Sequence, residues 1–125
     1  MLTAFASEFG LPDETALKLA APFGGGMART GRICGAVSGG LMALGLKFGF
    51  TTPEGRDATY TLTREFMERF ESLHGALDCR TLLGFEILTP ADRERAGQAG
   101  VFEEICPRLV RDSAKIVQEL LAKEK

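Results

Sequence analysis

Three cysteines, Cys34, Cys79 and Cys106, are the residues of this chain best suited to redox or metal chemistry. Cys34 follows the segment GGGMARTGR and opens a long apolar stretch, which predicts a thiol at a helix N-terminus. The partial positive charge there favours thiolate, the form of cysteine that attacks electrophiles and binds metals. Cys79 and Cys106 are likewise predicted to begin helices. We therefore predict that the three thiols converge on one redox or metal site.

Glycines and arginines near Cys34 are predicted to support this site. The arginines would add positive charge beside the sulfur, and the glycine backbone would present N–H groups to a small anion. Sequence spacing here resembles a phosphate-binding loop, but the lysine and the Ser/Thr of that motif are missing. The supporting residues are Gly25, Gly26, Arg29, Arg32 and Gly35.

Cysteine spacing leaves other interpretations open. The separations of 45 (79 − 34) and 27 (106 − 79) residues match no compact metal motif, and unpaired cysteines often serve as small buried hydrophobic residues. One alternative is a non-catalytic interaction module with the cysteines in its core. Another is anion or small-ligand binding by the glycine–arginine loop. His74, the single histidine, is a candidate metal ligand, although a histidine in a last helical turn more often interacts with the helix dipole.

Composition limits the class of protein. A chain of 125 residues is expected to form one domain, residues 1–125. Its net charge of -2 argues against nucleic acid and anionic membranes as partners. The longest uncharged run, residues 33–46, is shorter than the ~20 residues that span a bilayer. With no targeting segment visible, we expect a cytoplasmic protein.

Helical periodicity predicts an all-α fold, a compact bundle of about five helices around a glycine-rich central helix. In the central helix an apolar stripe runs beside a stripe of small residues, which lets a neighbouring helix approach closely or forms a homodimer contact. The same spacing places Leu17, Leu73 and Val110 in the core. The expected segments are a hairpin within residues 2–21, the central helix at 33–48, helices at 58–74, 79–83 and 106–123, and a mobile loop or lid at 85–100.

The order of several segments resembles a family of small redox-active proteins named for four cysteines and a CGAxxG motif. The segments are FGGGM, CGAVSGGLMALGLKFG, ERFESLHG, CRTLLG and CPRLV. The resemblance covers residues 5–121 and implies a redox-active or iron–sulfur-type centre and a redox partner of unknown identity. Cys34, Cys79 and Cys106 match three of the family's cysteines, whereas the first would fall before Met1. The three would bind iron–sulfur or another metal with a fourth ligand from His74, water or a partner; a chain without cofactor is equally compatible.

Overall fold

The computed structural model describes residues 1–123, and within them the all-α prediction is confirmed: the elements are helices, 3₁₀ turns and loops, with no strand. The 3₁₀ turns lie at Ser7–Phe9, Ala21–Phe23 and Pro53–Gly55. The helices are α1 (Thr3–Ala6), α2 (Asp13–Ala20), α3 (Gly24–Met27), α4 (Gly35–Phe48), α5 (Arg56–His74), α6 (Cys79–Leu83), α7 (Pro90–Gln98), α8 (Val101–Glu104) and α9 (Cys106–Leu121).

Helix α4 lies at the centre and packs on both long helices, α5 and α9. Its small residues make this possible. A Cβ atom on Gly40 would lie 2.7 Å from Phe66 Cζ of α5 and 2.7 Å from Ser113 Oγ of α9. A Cβ atom on Gly39 would lie 2.8 Å from Met1 Cβ at the N-terminus. The small-residue stripe therefore acts as predicted within the chain, by admitting close neighbours that offset the low helix propensity of glycine.

A buried serine joins α9 to α4. The Ser113 side chain is fully buried, and its hydroxyl donates a hydrogen bond of 2.7 Å to the Ala36 carbonyl oxygen. This bond satisfies a polar group inside the core, where an unpaired hydroxyl would be costly. It also fixes the first turn of α4, the turn that carries Cys34 at its N-terminus.

Three of the predicted core residues lie at the surface. Leu17 and Leu73 are each 62% exposed, and Val110 is 42% exposed. The buried face of α9 is shifted by about one residue from the predicted face. Ser113 lies on the buried face, at a position that a pattern of apolar residues alone does not assign to the core. In α5 the inward position after Phe70 belongs to the His74 ring, whose centroid is 4.8 Å from the Phe70 ring.

The predicted buried face of α2 is also shifted by one residue. Ala16 is fully buried, and Leu17, the next residue, is exposed.

The region predicted as a loop or lid, residues 85–100, instead contains helix α7 over Pro90–Gln98. Thr89 forms a capping box with Asp92: the Asp92 N–H donates to Thr89 Oγ1 at 3.0 Å, and the Thr89 N–H donates to Asp92 Oδ2 at 3.2 Å. Pro90 follows at the first helical position, where its missing N–H costs nothing. Threonine at position 89 with an acidic residue three positions later, Asp92, is a sequence signal for a helix start that the prediction of a loop overlooked.

A smaller hydrophobic cluster forms where α6, α7 and α8 meet. Its buried members are Cys79, Leu83, Ile87, Ala96 and Val101, and Cys106 packs against them. This cluster is separate from the main core around α4, which includes Cys34. Over residues 1–123, no helix is both long enough and apolar enough to cross a membrane.

Candidate thiol redox site

The three cysteines line one open cavity of about 950 Å³. They reach it from three segments that are distant in sequence: Cys34 precedes α4, Cys79 opens α6 and Cys106 opens α9. Cys34 and Cys79 are buried, Cys106 is half-buried, and all three are free thiols. Residues of both the main core and the smaller cluster line the cavity.

A short backbone pairing holds Cys34 and Cys79 in place. Ile33 and Asp78 form an isolated antiparallel bridge. On either side of it, the Cys34 N–H donates to the Leu77 carbonyl at 2.9 Å and the Cys79 N–H donates to the Arg32 carbonyl at 2.6 Å. Since alternate residues of paired strands share a face, Cys34 and Cys79 lie on the same face of this bridge.

The glycine-rich segment before Cys34 is a left-handed turn that overlaps α3, because Gly25 and Gly26 lack the φ and ψ angles of a right-handed helix. Five consecutive residues have positive φ angles: Gly25 (64°), Gly26 (65°), Met27 (69°), Ala28 (57°) and Arg29 (67°). The left-handed conformation costs about 1–2 kcal/mol for each residue that carries a Cβ atom, so the last three positions are strained. Hydrogen bonds to the two glycine carbonyls hold the turn, from the N–H of residue 31 to Gly25 at 3.2 Å and from the N–H of residue 32 to Gly26 at 2.9 Å.

Gly26 is the point where this turn touches the thiol site. It is buried, and a Cβ atom there would lie 2.7 Å from the Cys79 Cβ and 2.7 Å from both the N and O atoms of Arg32. A side chain at this position would displace either Cys79 or the backbone that pairs with it. The absence of a Cβ atom at Gly26 is therefore needed for the observed position of Cys79.

The electrostatic prediction for the thiols is wrong in direction. Burial is the largest influence on each of them, and it raises the pKa of Cys34, Cys79 and Cys106, that of Cys79 to about 11. Backbone hydrogen bonding from Ala36 and Val37 lowers the Cys34 pKa in part, as expected at a helix N-terminus. Desolvation outweighs this contribution, so the thiols are protonated at neutral pH.

The helix-start argument fails for a local reason at two of the three cysteines. α6 has only five residues and hence a small dipole, and Cys79 also lies beside the carboxylate of Asp78, whose charge raises the Cys79 pKa. Cys106 follows α8 through Ile105, a residue that itself has helical φ and ψ angles. The chain before Cys106 is thus already helical, and the backbone hydrogen bond that lowers the Cys106 pKa comes from Cys106 itself and is outweighed by burial.

The thiols also affect one another. A negative charge on Cys34 raises the pKa of Cys79 and of Cys106, and Cys106 raises that of Cys79 in addition. Ionisation of Cys34 therefore opposes ionisation of both neighbours. Such coupling is typical of groups that share one site and release their protons one at a time.

The predicted supporting residues divide into two groups. Gly25, Gly26, Arg29 and Gly35 line the cavity with the thiols. The Arg32 side chain is exposed and is not part of the cavity lining, although its backbone pairs with Cys79. A second arginine, Arg93 of α7, also lines the cavity. It was not among the predicted site residues, because its segment was predicted as a loop.

His74 is placed away from this chemistry. Its Nε2 atom lies 3.0 Å from Asp112 Oδ2 of α9, without the alignment of a hydrogen bond. The ring packs on Phe70 in the core, and His74 is not among the residues that line the thiol cavity. The structure thus brings the three cysteines to one cavity, and His74 does not line it.

Metal ligation requires donors grouped around one point. Within residues 1–123, no group of three or more Cys, His, Asp or Glu side chains is arranged to hold a metal ion. The three thiols share a cavity but do not fit a single ion in their observed positions. Metal and iron–sulfur binding stay predictions.

A sequence profile described as "Putative redox-active protein (C_GCAxxG_C_C)" matches residues 1–120. The chain belongs to this family. The motif in the family's name reads GCAxxG, and this chain carries Cys34-Gly35-Ala36 followed by Gly39 at the corresponding place. No curated protein and no solved structure matches the chain significantly. Membership supports a redox role in general.

Proposed function

We propose that this family member is a dithiol–disulfide redox protein, in which Cys34 is the attacking thiol. The observation that carries the proposal is the common cavity lined by three free thiols from three separate segments. A thiolate attacks a substrate disulfide, a second protein thiol then attacks the mixed disulfide, and the protein becomes oxidised. For each turnover, two protein thiols and one substrate disulfide give one protein disulfide and two substrate thiols.

Two features favour Cys34 as the attacking thiol. It is the cysteine whose sulfur is assisted by the backbone amides of Ala36 and Val37 at the start of a long helix. Its charge also opposes ionisation of the other two cysteines, which keeps them protonated while Cys34 is thiolate. One ionised thiol beside protonated ones is the arrangement that a nucleophile and its resolving partner need.

Cys106 is the better candidate for the resolving thiol. Cys34 and Cys79 are diagonal neighbours across an antiparallel pair, a position in which Cα atoms lie about 7–8 Å apart. A disulfide usually spans Cα separations of about 4.4–6.8 Å, so a bond between these two would disturb the backbone bridge. Cys106 lies outside that pairing, at the junction of α8 and α9, and is the least buried of the three.

Thiol counting after oxidation tests the proposal. The reduced protein is treated with the uncharged disulfide of mercaptoethanol, and free thiols and peptide masses are measured over time. We expect one intramolecular disulfide and one remaining thiol, a slow reaction in Cys34→Ser, and accumulation of the mixed disulfide on Cys34 in Cys106→Ser. Cys79→Ser is the matched control and should still form the disulfide. Independent oxidation of all three thiols would contradict the proposal.

A thiolate-bound metal or iron–sulfur cluster is the alternative prediction for the same cysteines. It requires the thiols to lose their protons on binding, which the raised pKa values oppose. Metal and sulfide analysis of protein purified without oxygen separates the two functions. Stoichiometric iron or zinc lost in each of the three Cys→Ser variants would favour ligation over thiol exchange.

A further inference from the structure

The charge of the thiol cavity has a single sign. Arg29 and Arg93 line it, and no aspartate or glutamate does. Among residues 1–123, neither arginine has an ion-pair partner, whereas other basic residues such as Arg69 and Arg80 are paired with glutamates. The charged residues that line the thiol cavity are therefore positive, although the chain as a whole has a net charge of -2.

The two arginines are placed by different means. Arg93 Nη1 donates to the carbonyls of Ile87 at 3.1 Å and Leu88 at 2.9 Å, which fixes the guanidinium at the wall formed by α7. Arg29 ends the left-handed turn, at φ 67°, and its Cγ would be only 3.0 Å from a Cβ atom on Gly25. The chain thus adopts a strained backbone at the position where Arg29 lines the cavity, and backbone strain of this kind clusters at functional sites.

Arg29 is not explained by activation of the thiols. The influences on the three thiol pKa values are burial, backbone amides, the neighbouring thiols and Asp78, and no arginine is among them. Arg29 lines the cavity and has no ion-pair partner among residues 1–123, so its charge is available to a molecule that enters the cavity. A guanidinium group presents several N–H donors in a plane and suits a carboxylate in particular.

We propose that the disulfide substrate of this site is a small carboxylate-bearing disulfide, bound by Arg29 while Cys34 attacks its sulfur. This inference rests on the proposed dithiol function and names its substrate class. The Cys34 thiolate forms a bond to one substrate sulfur, the substrate S–S bond breaks, and the released thiolate takes up a proton. The second protein thiol then displaces the other half, so the substrate gains two electrons and the protein loses two.

Three simple disulfides of similar size test the substrate class: those of mercaptopropionate (anionic), mercaptoethanol (uncharged) and cysteamine (cationic). The second-order rate constant for oxidation of the reduced protein is measured with each. We expect Arg29→Ala, which keeps a Cβ atom at the strained position, to slow the anionic probe by roughly 5–10-fold and the uncharged probe by less than about 2-fold. Arg29→Lys should restore part of the rate with the anionic probe.

Arg32→Ala is the matched control, because it removes a nearby arginine whose side chain does not line the cavity. It should leave the ratio of anionic to uncharged rates unchanged. Equal slowing of all three probes in Arg29→Ala, or no change in any, would overturn the substrate proposal while the dithiol function stands. Failure of every probe to produce a Cys34-dependent protein disulfide would instead overturn the dithiol function itself.

Discussion

At the scale of single residues, the three thiols share a cavity but differ in surroundings. Cys34 has backbone amides at its sulfur, Cys79 is held between Gly26 and the backbone bridge, and Cys106 is half-buried at a helix junction. Burial makes all of them weak acids at neutral pH. Thiol reactivity in the free protein is therefore expected to increase with pH well above neutrality.

Removal of Cys34 should make Cys106 a stronger acid. The Cys34 charge raises the pKa of Cys106, so Cys34→Ser is expected to lower it. The pH dependence of alkylation at Cys106 by iodoacetamide, followed by peptide mass, measures the change. Cys79→Ser is the control. It should leave the pH dependence of Cys106 alkylation as in the wild type, because Cys79 is not among the influences on the Cys106 pKa. Identical profiles in all three proteins would contradict the proposed coupling.

At the scale of elements, the central helix is the part that the sequence predicts best. An uncharged stretch with apolar and small residues at helical spacing defines α4, and the observed helix begins two residues after its predicted start at Ile33. The first turns of α7 could also have been predicted from Thr89 to Asp92. The left-handed turn could not, because three of its five residues, Met27, Ala28 and Arg29, have no intrinsic preference for positive φ.

The packing of α4 predicts opposite effects for two alanine substitutions on the same helix. Gly40→Ala would place a methyl group against Phe66 and Ser113, and we expect a loss of about 1–3 kcal/mol in the free energy of unfolding. Gly45→Ala meets no atom within 4 Å and should gain about 0.5–1 kcal/mol from helix propensity. Urea denaturation measures both, and equal effects would show that the close approach at Gly40 is wrong.

The left-handed turn predicts a second matched pair. Gly26→Ala combines a positive φ angle with contacts of 2.7 Å to Arg32 and Cys79, so we expect about 2–4 kcal/mol of destabilisation and altered alkylation at Cys79. Gly24→Ala lies two residues away, has no neighbouring atom within 4 Å of the added carbon, and should be nearly neutral. Normal stability of Gly26→Ala would contradict the geometry of this turn.

At the scale of the whole molecule, helical periodicity predicted the class of fold but not the cavity. The cavity depends on which side of α9 faces inward, and on that side Ser113 bonds to α4 beside four buried apolar residues of α9. It also depends on a backbone pairing between Ile33 and Asp78, a contact across 45 residues (78 − 33) with no local pattern. Helix propensity and periodicity report local preferences, so neither contact leaves a signal in them.

Burial of the thiols also makes global stability depend on alkaline pH. The pKa of Cys79 is raised from 9.0 to about 11 on folding, so the native state holds this proton over a range in which the unfolded chain releases it. The stability that depends on this proton is fully present below about pH 9 and is lost as the pH rises toward about 11. The free energy of unfolding should fall by about 1–2 kcal/mol over this range, after allowance for solvent screening.

The difference between the reduced wild type and Cys79→Ser isolates this contribution, because lysine and tyrosine titrations are common to both proteins. Urea unfolding at a series of pH values should show the wild type losing its stability advantage between about pH 9 and 11. Parallel stability curves over that range would mean that Cys79 has the same pKa in the folded and unfolded chain. The cavity would then be open to water at this thiol, and the order of ionisation that makes Cys34 the attacking residue would lose its basis.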